Sequence, residues 1–138
     1  RTKQIFSNKT ADLIKFFMYL TVENGTGKKA QNNYYMVGGK TGTAEKPING
    51  RYDKNKLISS FVGVLPIDQP EYVILVMLDE PKGNVSSYGL ATGGAVAAPV
   101  VGKIMQNIAP ILGVKKNNRP EYYYSKKKQF TNFDNKIF

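Results

Sequence analysis

The chain has 138 residues, 41% hydrophobic and 22% charged, which suits one folded domain or a piece of a larger one. It contains no cysteine and no histidine, which excludes disulfides, thiolate metal sites and histidine acid–base chemistry. Of the net charge of +10, half sits on Lys115 to Phe138, where seven Lys and Arg stand against two acidic residues.

Any proton transfer must therefore use Lys, Tyr, Asp or Glu. No run approaches the roughly 18 apolar residues that a membrane helix needs. The opening Arg1-Thr2-Lys3-Gln4 is not followed by the apolar stretch of a signal peptide, so any targeting information is expected upstream.

In chain order, the first periodic segment runs from Lys9 to Val22. Ile14, Phe17, Met18 and Thr21 fall on one face at helical spacing, widened by Leu13 and Leu20. Ser7 or Asn8 can cap this helix, and Gly25-Thr26-Gly27 is expected to end it with a left-handed glycine. Tyr34 to Ala44 reads as a strand with three glycines, a pattern that marks a close approach of another backbone or a ligand. Glu45 to Lys56 reads as a polar loop containing Pro47 and Asn49-Gly50. Leu57 to Leu65 is a second strand, stopped by Pro66. Tyr72 to Leu78 is a third, so apolar that both of its faces are expected to be buried. The short Pro66 to Pro70 turn between them predicts an antiparallel hairpin.

Pro81 to Gly94 reads as loop. A second helix is predicted from Ala95 to Leu112, with Val101, Ile104, Met105, Ile108 and Leu112 on its apolar face and Pro99 in its first turn. After Gly113 the chain turns basic and polar, and Tyr122-Tyr123-Tyr124 is a candidate local anchor for a flexible tail. The expected organisation is residues 1–114 as one folded unit and 115–138 as a basic, aromatic tail. The fold class is α+β, an antiparallel sheet flanked by helices.

The informative stretch is Gly38-Gly39-Lys40-Thr41-Gly42-Thr43-Ala44. Side chains alternate along a strand, so Lys40 and Gly42 share one face, and Thr41 and Thr43 the other. Gly42 leaves room for a substrate to lie against the backbone. Strand N–H and C=O groups can pair with an extended peptide, and two hydroxyls with one ammonium suit a terminal carboxylate. A backbone N–H aimed inward can stabilise a tetrahedral oxyanion. Two phosphate readings fail on context. A Walker A loop needs glycine where Tyr34 stands and a helix after the motif. Gly25-Thr26-Gly27-Lys28-Lys29-Ala30 matches a dinucleotide fingerprint in letters, but it follows a helix rather than a strand. A glycine-rich edge strand with no ligand is the remaining plain reading.

Lys40-Thr41-Gly42 is similar to the third signature of serine penicillin-binding proteins and class A β-lactamases. The surrounding chain resembles the class B penicillin-binding proteins, most of all their cell-division branch. The matching stretches are Val22 to Ala30, Val37 to Lys46, Ser59 to Pro66, Tyr72 to Pro81 and Gly93 to Pro99. Together the resemblance covers Ser7 to Val114. It implies a fragment of the penicillin-binding protein and serine β-lactamase-like transpeptidase fold.

The resemblance also implies roles. Lys40 would orient the substrate carboxylate and set the field around the nucleophile. Thr41 and Thr43 would hydrogen-bond that carboxylate, Gly42 would permit close approach, and the Thr43 N–H would supply half of an oxyanion hole. The implied activity is peptidoglycan D,D-transpeptidation, cross-linking stem peptides through a serine ester during septal wall synthesis, with acylation by β-lactams. The parent would sit in the inner membrane with this domain in the periplasm, among division proteins, and needs no cofactor or metal.

The chain departs from the complete family pattern. Its one formal Ser-x-x-Lys match, Ser125 to Lys128, lies downstream of Lys40 in the charged tail, and no Ser-x-Asn precedes Lys40. The nucleophile is therefore expected on an earlier, missing part of the same domain, and the isolated fragment is expected to be inactive and prone to self-association. Alternatives are a β-lactamase or β-lactam sensor on the same strand, or a non-catalytic binder of peptidoglycan or, less favoured, of nucleic acid.

Overall fold

The computed structural model describes residues 3–116 together with Glu121, Tyr124, Ser125 and Lys128. Tyr122 and Tyr123 lie outside the described residues.

Helix α1 spans Asn8–Glu23. Of the two candidate caps Ser7 is the one used, accepting a hydrogen bond from the Thr10 N–H at 3.1 Å. The helix ends at the expected place by a different device. Neither Gly25 nor Gly27 takes a positive φ; instead the Asn24 and Gly27 N–H groups donate to the Leu20 and Thr21 carbonyls. A single helical turn, Lys28–Ala30, follows.

Three strands, β1 (Gly38–Ile48), β2 (Arg51–Leu65) and β3 (Tyr72–Asp79), form an antiparallel sheet in the order β1-β2-β3. The meander is the predicted one, but its first hairpin is longer. The predicted polar loop from Glu45 to Lys56 is mostly strand, joined by Asn49 and Gly50 at φ 51° and 78°. Positive φ at both central residues matches the right-handed twist of paired strands, and Asn-Gly adopts it readily. A bulge between Glu45 and Lys46 absorbs the register shift. At the other end, Tyr34 to Val37 is not strand: Tyr35, Met36 and Val37 are buried as irregular chain leading into β1.

One face of the sheet carries Gly39, Thr41 and Thr43 from β1, Ser59, Phe61, Gly63 and Leu65 from β2, and Tyr72, Ile74, Val76 and Leu78 from β3. Helix α2 (Ala98–Ile111) covers it, burying Val101 and Met105 in one cluster with Phe61, Leu65 and Val22. Pro99 occupies the first turn of α2, as predicted. A wider π-type turn, Gly93–Ala97, leads into that helix.

Phe61 is the hub of the core. Added methyl groups at Gly27 and Gly39 would both strike its ring, so these glycines let two backbone segments close on one aromatic side chain.

The opposite face is only partly covered. Phe16 of α1 packs with Met36, Val64 and Ile67 at one end. Beyond that, Val73, Leu75 and Met77 are 68%, 61% and 62% exposed. The expectation that β3 is buried on both faces is therefore wrong for the chain alone: its burial alternates strictly, and its outer edge has no partner strand among the described residues.

Phe61→Ala should cost about 3–5 kcal/mol of folding stability, because the void borders two close-packed backbones. Urea titration of the two proteins measures this, and a loss below about 1 kcal/mol would remove Phe61 from the centre of the core.

Candidate functional site

β1 is an edge strand, so alternate backbone groups face away from β2. Its second half is pinned by Lys46, whose ammonium lies 2.9 Å from both Asp79 and Glu80 at the end of β3. Hydrogen bonds to Asp79 first, and then to Glu80, raise the Lys46 pKa and keep it charged. Its first half carries the candidate residues.

Two elements distant in sequence close on that half. The Gly93-Gly94 turn lies directly on the sheet. A methyl group at Gly93 would run into the carbonyl oxygens of Ser60 and Gly42, and one at Gly94 into that of Thr26. Only glycine permits this approach. As a result the Gly93 N–H donates to the Thr43 hydroxyl at 3.0 Å. The Gly25-Thr26-Gly27 turn brings the Thr26 hydroxyl 3.0 Å from that of Thr41. Below them, buried Ser59 donates to the Ala91 carbonyl and ties the approach to the Gly93 turn to β2.

These contacts line a cavity of about 600 Å³, walled by Thr26, Thr41, Thr43, Thr92, Tyr88 and Leu90 among others. The 83–89 loop forms one rim. Asn84 and Ser87 cap each other across its single turn, and the Gly89 N–H donates to the Asn84 carbonyl. Lys29 ties the loop down by donating to the Ser86 carbonyl at 2.9 Å. Tyr88 is left 92% exposed above the cavity.

The candidate residues thus divide. Thr41 and Thr43 line the cavity together, as their shared face predicts. Lys40 does not line it; its ammonium donates to the Thr41 carbonyl at 2.8 Å and stays exposed. At Gly42 an added methyl would meet the Ser60 hydroxyl at 2.5 Å, so this glycine also serves packing within the sheet. Gly38 likewise makes room for Ile67. Sequence reasoning missed Thr26, whose only signal was its place between two glycines, read as a helix stop. Among the described residues no cluster of His, Cys, Asp or Glu could hold a metal ion, and no helix is long and apolar enough to cross a membrane.

Chemically, a row of hydroxyls with one oxygen already accepting a backbone N–H can donate outward to an anion. A nearby ammonium adds attraction for a carboxylate.

The chain is similar over most of its length to known proteins. Residues 1–106 match the family model described as the penicillin binding protein transpeptidase domain. Stage V sporulation protein D of Bacillus subtilis is 44% identical over 123 residues, covering 88% of this chain and 18% of that protein. The protein named "Probable peptidoglycan D,D-transpeptidase FtsI" of Caulobacter vibrioides is also 44% identical over 123 residues, covering 83% and 21%. Among solved structures, penicillin binding protein 3 of Mycobacterium tuberculosis, complexed with ampicillin, superimposes with a TM-score of 0.71 at 28% identity, covering 83% of this chain and 26% of that one. The chain thus spans about a fifth of the length of these two curated relatives.

Proposed function

The chain belongs to the penicillin-binding protein transpeptidase family, and from that premise we propose that it is the substrate-clamping part of a peptidoglycan D,D-transpeptidase. The parent enzyme cross-links stem peptides by serine acyl transfer in septal wall synthesis and is acylated by β-lactams. The observation that carries this reading is the pairing of the Thr41 and Thr43 hydroxyls at one cavity, with the Gly93 N–H already bound to Thr43.

Thr41 and Thr43 receive the carboxylate of the stem peptide or of a β-lactam by charge-assisted hydrogen bonds. Lys40 moves from its resting contact on the Thr41 carbonyl toward the serine nucleophile when the rest of the domain is in place, orienting the carboxylate and setting the local field. The Thr43 N–H supplies half of the oxyanion hole, and Gly42 lets the substrate approach the edge of β1. The attacking serine and its lysine base lie in a part of the parent domain outside this chain, so the chain alone is inactive. The parent is held at the inner membrane with this domain in the periplasm, among division proteins.

The uncovered face of β3 supports the same reading, since a sheet with a bare apolar face and an open edge belongs against further structure. The isolated 138-residue chain should therefore self-associate. Light scattering over a wide concentration range tests this, and a monomer throughout would show that the face is tolerated bare.

Lys40→Ala in the full-length protein should reduce labelling by fluorescent penicillin roughly 100-fold, with the circular dichroism unchanged. Undiminished labelling would remove Lys40 from the acylation machinery.

A further inference from the structure

Thr26 lies outside the Lys40 to Thr43 motif, in the turn after α1, yet its hydroxyl is the nearest hydrogen-bonding neighbour of the Thr41 hydroxyl, at 3.0 Å. We propose that Thr26 is a positioning residue that sets the direction of the Thr41 hydroxyl, so that the Thr41 proton is aimed at the substrate carboxylate. The proposal rests on the reading that Thr41 and Thr43 bind that carboxylate.

A threonine hydroxyl has one proton and two acceptor lone pairs. On Thr43 the Gly93 N–H fills an acceptor site, so the Thr43 proton remains available to donate into the cavity. Thr41 has no backbone N–H in that role among the described residues; its hydroxyl has Thr26. Between two hydroxyls either can donate. An anion bound to Thr41 breaks this symmetry, because Thr41 then gives its one proton to the anion and can only accept from Thr26. Thr26 then donates to Thr41, and Thr41 donates to the carboxylate. Each hydrogen bond in such a chain polarises and strengthens the next.

The relay needs Thr26 to be held in place. The Gly94 backbone packs directly on the Thr26 carbonyl, and the Thr41 methyl group also lies within contact distance of the Gly94 position. The Gly27 N–H ties the turn back to the Thr21 carbonyl at 2.9 Å. The Gly93-Gly94 pair therefore serves both threonines. Gly93 donates to Thr43 directly, and Gly94 seats the residue that pairs with Thr41.

The test uses the full-length protein with benzylpenicillin and its methyl ester, which differ only in the charge of the carboxylate. The readout is the ratio of the two second-order acylation rate constants, acid over ester. Thr26→Val keeps the shape and removes the hydroxyl. It should lower this ratio roughly fivefold, the effect of one ordinary hydrogen bond. Thr26→Ser should restore it. Thr41→Val, which removes the direct contact, should lower the ratio tenfold or more.

If Thr41→Val lowers the ratio and Thr26→Val does not, the relay is wrong while the carboxylate reading stands. An equal fall with both compounds in Thr26→Val would also overturn the proposal, because it would mark a purely structural role. If Thr41→Val leaves the ratio unchanged, the carboxylate reading itself fails, and the relay with it.

Discussion

The arrangement depends on one constraint: two glycine backbones, Gly93 and Gly94, lie in direct contact with the sheet and the turn beside it. No side chain fits between Gly93 and the carbonyl oxygens of Ser60 and Gly42, or between Gly94 and that of Thr26. This contact sets the start of α2, since the helix follows directly from the turn. It brings the Gly93 N–H onto Thr43. It also places the approach to the turn, where Ala91 accepts from buried Ser59. Close packing makes such a junction stiff, because there is no void into which either segment can relax. A rigid row of hydroxyls is what recognition of a small anion requires, since binding then need not first order the side chains.

Beneath that junction the core is organised by Phe61. Its ring packs under Gly27 and Gly39, while α2 covers the same sheet face with Val101 and Met105. The turn that carries Thr26, the strand that carries Thr41 and the helix that follows Gly94 thus share one hydrophobic support. Stability and site geometry are coupled through it. The opposite face shows the reverse condition, with Val73, Leu75 and Met77 exposed along β3.

Much of this was legible in the sequence where a local rule decides the outcome. The Ser7 cap, the extent of α1, the position of Pro99 and the order of the three strands each follow from short-range chemistry. The face of α1 does not: Ile14 and Phe17 are exposed, and the residues it buries are Phe16 and Val22. The shared face of Thr41 and Thr43 follows from alternation alone. The errors arise where long-range contacts decide. Asn49-Gly50 is a hairpin signal inside a polar stretch, and the two strands continue to the turn because they pair with each other. Tyr34 to Val37 looked like strand because it is apolar, but it precedes β1 as irregular chain, with Tyr34 exposed and Tyr35, Met36 and Val37 buried. The apolar run of β3 suggested burial on both faces, but its burial alternates and only one face lies against α2. Thr26 could not be assigned from sequence, because its partner is 15 residues away across a turn whose path is set by Gly94 and Phe61.

The most direct measurement is a crystal structure of the full-length protein acylated by benzylpenicillin. The carboxylate of the bound drug should accept hydrogen bonds from both the Thr41 and Thr43 hydroxyls, with the Gly93 N–H still on Thr43. A carboxylate bound elsewhere, touching neither hydroxyl, would contradict it.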